Sequence, residues 1–171
     1  MSQTKKVDLI LRNARIIDGT GGPSQYGDVA IQDDRLLAVD ETGNIQASRE
    51  LDVGGKVVCP GFVDSHTHDD RLLLSDPNMS CKVSQGVTTV FAGNCGISLA
   101  PLQIDHRSPS PLDVLVKHKD QFFSSFGTYH KTLAEDPASL NALCQVVHTT
   151  LRAAVMDSYD RPANAEEVSK M

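Results

Sequence analysis

No apolar run in this chain approaches the roughly 20 residues that a bilayer-spanning helix needs, so no membrane partner is expected. The first residues, MSQTKKVDLILRN, carry basic side chains, but Asp8 and Arg12 interrupt the apolar stretch, and a secretory signal is not expected there. Cysteine is scarce. Cys59, Cys81, Cys95 and Cys144 are too sparse for a disulfide scaffold, and they read as reduced thiols in a cytoplasmic protein. Clustered positive charge is missing as well. The 16 Lys and Arg are scattered among 22 Asp and Glu, for a net charge of −6. That pattern argues against nucleic acid, because phosphate binding needs grouped basic residues. There is no internal repeat and no low-complexity segment. What is present is an ordinary globular composition, 40% apolar and 22% charged, over 171 residues. Such a length suits one domain, or a small domain joined to part of a larger one.

The chain divides near residue 59 into a small β domain, 1–59, and a second region, 60–171. In the first region every local signal is extended. Val7, Leu9 and Leu11 alternate with Asp8, although Ile10 softens the pattern. Asp18-Gly19 and Gly21-Gly22-Pro23 supply turn chemistry, and two short strands, 29–32 and 35–39, flank Asp33-Asp34. A further turn at Gly54-Gly55 leads into a strand, 56–59, that Pro60 stops.

Beyond residue 60 the pattern becomes strand, helix, strand. FVDSHTH is a short extended run, and 71–84 reads as helical on both sides of Pro77. GVTTVFAGN is a nearly continuous apolar strand of the kind buried in a parallel sheet. PSPLDVLVKHKDQFFSSF carries Leu112, Leu115, Val116, Phe122, Phe123 and Phe126 at helical spacing, SLNALCQVVH holds a third buried strand, and NAEEVSKM opens a last helix. Strand–helix units in series predict a parallel α/β sheet or barrel.

Two places carry chemistry. His66 and His68, in PGFVDSHTHDD, stand two apart on an expected strand, so both project to one side while Thr67 points away. Two imidazoles held this way make half of a zinc site. The alternative is that they hydrogen-bond to Asp64 or Asp69, and the spacing alone leaves both readings open. Cys95, in AGNCGIS, follows the GVTTV strand between Gly93 and Gly96, where a sharp turn would present its thiol as a soft metal ligand. A small buried cysteine is the competing reading.

Three stretches, KVVCPGFVDSHTHDD, KVSQGVTTVFAGNCGISLAPL and HTTLRAAVM, together closely resemble the N-acyl-D-amino-acid deacylases, the D-aminoacylase branch of the amidohydrolase superfamily. The resemblance implies a small β domain beside a metal-dependent (β/α)₈ TIM-type barrel. It also implies hydrolysis of the amide of N-acyl-D-amino acids, small-molecule substrates, to a carboxylate and a D-amino acid. By the match, His66 and His68 fall on the family's metal-ligating histidine pair, and Cys95 on the cysteine that replaces the bridging carboxylated lysine of other amidohydrolases. Zinc would then activate water and polarise the acyl carbonyl, with a later aspartate as general base.

Some features depart from the family pattern. Val147 stands where a glycine is common, and the Asp33-Asp34 hairpin lacks its usual glycine. His148 is expected at the end of the third barrel strand, with no metal role. His106, His118 and His130 are expected to face solvent, and Lys117, Lys119 and Asp120 to form a polar helix face. A (β/α)₈ barrel takes roughly 250 residues, so the residues after 59 suffice for its first three strand–helix units. The chain therefore reads as an N-terminal portion, with the general-base aspartate beyond residue 171, inactive alone and prone to self-associate through exposed barrel edges. A non-catalytic truncated or pseudo-enzyme domain is the alternative. Another amidohydrolase, such as a cyclic-amide hydrolase, is a weaker one, because a strand-four lysine would be expected in place of the AGNCG cysteine.

Overall fold

The computed structural model describes residues 6–40, 42–43, 45–104, 109–116 and 121–171. The chain separates into two compact units, Met1–Pro60 and Gly61–Met171. Among the described residues no helix is long and apolar enough to cross a membrane.

The first unit is a five-stranded sheet built on β1 (Lys6–Ile16). β2 (Gln25–Gln32) lies antiparallel to β1, and β3 (Arg35–Val39) antiparallel to β2. β4 (Gln46–Asp52) and β5 (Val57–Val58) run parallel to β1. Ile10, which blurs the sequence alternation, is fully buried. A register shift between Leu11 and Ala14, with Asn13 at φ 57°, resets the pleat so that Ala14 and Ile16 enter the core. The β2–β3 turn manages without glycine. Asp33 takes the left-handed conformation at φ 51°, and its N–H donates to the Asp8 carboxylate at 2.7 Å. β4 gives no sequence signal because six of its seven residues are exposed; Arg12 ties it down through two bonds to Glu50, both 3.0 Å.

The second unit is an α/β layer in which β6 (Phe62–Thr67), β7 (Val87–Ala92) and β8 (Asn141–Cys144) are parallel, in the order β6-β7-β8. Two short helices, α1 (Leu72–Ser75) and α2 (Ser80–Val83), lie on either side of Pro77 and join β6 to β7. Leu73 and Met79 bury against Val90 and Ala92. Val90 and Ala92 are fully buried on one face of β7, whereas Val87, Thr89 and Phe91 on the other face are half-buried.

The segment after β7 differs from the expected helix. Residues 112–114 form one 3₁₀ turn, and an α-helix, α3 (Phe126–Glu135), begins only where the Ser125 hydroxyl accepts the Thr128 N–H at 3.1 Å. The apolar spacing instead fills a core of Ile97, Leu99, Leu102, Leu112, Leu115, Val116 and Tyr129, with Phe122, Phe123 and Phe126 against it. His106, His118, Lys117, Lys119 and Asp120 lie outside the described residues. His130 on α3 is exposed and packs 4.7 Å from the Phe126 ring.

The third strand is shorter and less buried than expected: β8 stops at Cys144, and Leu143 remains 45% exposed because β8 is an outer strand. His148 is therefore not at a strand end. It is the first residue of α4 (His148–Val155) and is exposed. The last helix, α5 (Ala165–Lys170), starts in the capping box that Asn164 and Glu167 form, as their spacing predicts.

Candidate metal centre

His66 and His68 sit at the end of β6, both exposed, and Thr67 between them is buried. Strict strand alternation would put Asp64 on the histidine side. It does not hold here, because β6 advances three residues from Asp64 to Thr67 while its partner β7 advances two, from Val90 to Ala92. One extra residue in one strand is a bulge, a device that re-aims side chains beside functional sites. As a result Asp64 and Thr67 both reach Lys82 of α2. Lys82 Nζ lies 2.5 Å from Asp64 Oδ2 and 3.1 Å from Thr67 Oγ1. Asp69 Oδ2 forms a further ion-pair contact with Lys82 at 3.0 Å, without an aligned hydrogen bond.

Asp64 also accepts the backbone N–H of His66 at 3.2 Å. Its bond to Lys82, more than the His66 amide, holds its carboxyl below the usual range. Burial works against the Lys82 charge, but its bond to Asp64 and its ion-pair contact with Asp69 outweigh it and raise the ammonium above its ordinary value. The carboxylates around the histidines are thus engaged with a lysine, and the alternative of imidazoles bonded to Asp64 or Asp69 finds no such bond among the described contacts.

Cys95 arrives from the loop that leaves β7. Gly93 and Gly96 both have φ above +90°, and Gly96 N–H donates to Gly93 O at 2.8 Å, closing a tight turn around the cysteine. A side chain at Gly93 would meet the Gln145 carbonyl at 3.0 Å, so this glycine also permits a close approach. Asn94 stitches the loop to β6: its Nδ2 donates to Ser65 O at 2.7 Å. On the far side, α4 latches the same loop through Thr149 N–H to Gly96 O at 3.3 Å and Ser98 N–H to Thr150 Oγ1 at 2.9 Å. The HTTLR stretch therefore braces the cysteine loop.

The three side chains converge. Cys95 Sγ is 3.3 Å from His68 Nδ1, and one ligand atom from each of His66, His68 and Cys95 lies within 4.8 Å of the others. Atoms bound to one tetrahedral zinc at 2.0–2.3 Å stand about 3.3–3.7 Å apart. The cysteine–histidine distance already matches, and a His66 ring nitrogen lies within 4.8 Å of both. Two imidazoles and a thiol are a chemically suitable donor set for zinc, so the residues fit the ion.

Two residues past His68 lies a buried polar group. Asp70 is 1% exposed, and burial pushes its carboxyl up to about 6. The Tyr129 hydroxyl donates to the Asp70 carbonyl at 2.9 Å. Burial also pushes the Cys144 thiol, beside Tyr129, up to about 11. Sequence reasoning did not identify Lys82 or Asn94. A lone lysine in a short helix and an asparagine in a glycine loop carry no periodic signal; only the bulge and the loop geometry bring them into play.

Comparison with known proteins gives concordant results. A sequence profile of the amidohydrolase family matches residues 49–157. A D-aminoacylase from Alcaligenes xylosoxydans xylosoxydans is 45% identical over 99% of this chain and 35% of its own length. A D-aminoacylase structure concerned with its binuclear metal center superposes with a TM-score of 0.90 at 48% identity, covering 96% of this chain and 34% of that one. The N-acyl-D-glutamate deacylase of Bordetella bronchiseptica, complexed with zinc and a phosphonate inhibitor, gives a TM-score of 0.87 at 34% identity over 97% of this chain and 35% of that one. The chain spans about a third of the length of the curated relatives it matches.

Proposed function

The chain belongs to the amidohydrolase family, and from that membership we propose that it carries the first metal-ligating elements of a zinc-dependent N-acyl-D-amino-acid deacylase. The observation that carries the proposal is the convergence of His66, His68 and Cys95 on one point from two elements far apart in sequence. In this reading residues 1–59 are a small β domain, and β6, β7 and β8 with their helices are the first units of a (β/α)₈ barrel. The ligands then sit at or just past the carboxyl ends of the first two strands, the face on which such barrels place their chemistry. A cytoplasmic setting would keep Cys95 reduced.

Zinc bound here supplies a Lewis acid for the acyl carbonyl and a water of lowered pKa. The protein's own contribution is positional. The bulge in β6 takes Asp64 off the face that the two imidazoles share, the Gly93–Gly96 turn presents the thiol, and Asn94 ties the cysteine loop to β6. None of the aspartates nearest the ligands is free to act as general base: Asp64 and Asp69 are held by Lys82, and Asp70 is buried. In this reading the base is the later aspartate that the family resemblance implies, and these 171 residues assayed alone release no D-amino acid. The outer strands β6 and β8 would also leave the isolated chain prone to self-association, which sedimentation would detect.

The activity is tested by a chimera in which these 171 residues replace the aligned third of the Alcaligenes D-aminoacylase. Expected is zinc-dependent release of D-methionine or D-glutamate from their N-acetyl derivatives, lost on Cys95→Ala. A folded, zinc-loaded chimera without turnover on any N-acyl-D-amino acid would refute the proposal.

A further inference from the structure

Lys82 lies outside the ligand set, yet its ammonium touches both sides of the bulge that orients the ligands. Asp64, before the bulge, and Thr67, after it, are 2.5 and 3.1 Å from Nζ, and Asp69, one residue past His68, is 3.0 Å away. The lysine is only 19% exposed at its side chain, and Asp69 is buried, so these contacts are shielded from solvent. An ammonium has three donors, and here each faces one oxygen of the segment that bears the histidines. We propose that Lys82 is a positioning residue for the metal centre: it holds the β6 bulge that turns His66 and His68 toward Cys95, and it keeps Asp64 and Asp69 from competing for the cation.

The proposal follows from the geometry in two steps. Among the described contacts Lys82 alone bonds the side chains of both Asp64 and Thr67, so without it the bulge loses the tie that holds these two on one face of β6. Regular alternation would rotate the histidines relative to Cys95. Separately, Lys82 offsets two carboxylates flanking a cation site. Hard oxygen donors released from it would favour oxygen-rich coordination and other ions over the mixed nitrogen–sulfur set.

The proposal rests on the zinc-site reading above, and its test separates the two. The 171-residue chain is titrated with zinc against a chromophoric chelator, and with cobalt(II), whose thiolate charge-transfer band reports Cys95 coordination. Far-UV circular dichroism and thermal melts monitor the fold. Lys82→Met strands the buried Asp69 charge, so Lys82→Met/Asp69→Asn, which removes one charge of each sign and leaves only the less buried Asp64 carboxylate, is measured beside it. Expected in the double variant is a drop in zinc affinity of about 10- to 100-fold, the range for residues that orient metal ligands. The cobalt band should weaken, and Lys82→Arg should restore much of both because it keeps the cation between the two carboxylates. An unchanged zinc affinity and cobalt band in the folded double variant overturns the role of Lys82 and leaves the site standing. No Cys95-dependent cobalt band in the parent chain overturns the metal site itself, and this role with it.

Discussion

Alkylation of the cysteines at pH 8 would test fold and site together. Cys59 and Cys81 are exposed, Cys95 is partly buried, and Cys144 sits on β8 under Tyr129 of α3. Only the thiolate reacts. Burial raises the Cys144 thiol from about 9 to about 11. At pH 8 a thiol of pKa 9 is roughly one-tenth ionised and one of pKa 11 roughly one-thousandth, a ratio of about 100. Iodoacetamide labelling followed by peptide mass spectrometry should therefore find Cys144 in the folded chain at least about 100-fold slower than Cys144 in the urea-unfolded chain, and slower than the exposed Cys59 and Cys81. Its rate should climb about tenfold per pH unit up to pH 10. Labelling of Cys144 at the rate of Cys59 would mean that α3 does not cover β8, and the packing that braces the site would be wrong. Zinc adds a second arm. It should protect Cys95 and leave Cys144 unchanged, and His68→Ala should remove the protection. If saturating zinc fails to slow Cys95, that thiol is not a ligand.

Three further outcomes are expected. A methyl group at Gly61 would run into the Thr88 side chain, so Gly61→Ala should cost about 1–3 kcal/mol in urea unfolding; a neutral change would contradict this packing. Asn164 accepts the Glu167 N–H at 2.9 Å, and Asn164→Ala should cost about 1 kcal/mol, seen as faster amide exchange confined to α5. Because burial raises Asp70 to about 6 from 3.8, the folded state keeps a proton that the unfolded chain has lost. That stability is complete below pH 3.8 and disappears as pH rises through 6. Asp70→Asn should thus gain on the parent by about 2–3 kcal/mol between pH 4 and 7, and a difference independent of pH would refute the assignment.

The parts of the fold legible in sequence are those where one residue type answers to one local rule. Asn164 and Glu167 announce the cap of α5, Pro77 separates α1 from α2, and Asp33-Asp34 marks the β2–β3 turn at the right place. β4 was not legible because its side chains meet water on both faces, so it has no alternation; its pairing with β1 and the Arg12–Glu50 bonds hold it. The stretch 109–126 has helical spacing, but residues 112–114 within it form a single 3₁₀ turn and α3 starts only at Phe126. Phe123 is tied by backbone bonds to two residues, accepting the Leu102 N–H and donating its own N–H to Leu99 O, and the helix waits for the Ser125 cap. Apolar spacing reports which residues are buried, and in that stretch it reported them correctly without naming the element.

The candidate ligands were named by residue type and spacing, yet the alternation argument that supported them is incomplete. Simple pleating places His66 and His68 together but adds Asp64 to their face, and an acidic group there would change the donor set. The bulge removes it: Asp64 pairs with Val90, Thr67 pairs with Ala92, and the extra residue puts Asp64 beside Thr67 at Lys82. In a strand, a slip of one residue shifts the chain by about 3.3 Å and exchanges its faces. Undoing the bulge by deleting Ser65 would force one of two results. Either Asp64 turns toward Cys95, or Thr67 leaves its buried position and an imidazole takes its place against Lys82. The second puts a ring where a hydroxyl, only 6% exposed, now bonds the ammonium. Both lose the nitrogen–nitrogen–sulfur arrangement. The bulge therefore specifies the donor set as firmly as the identities of His66, His68 and Cys95 do.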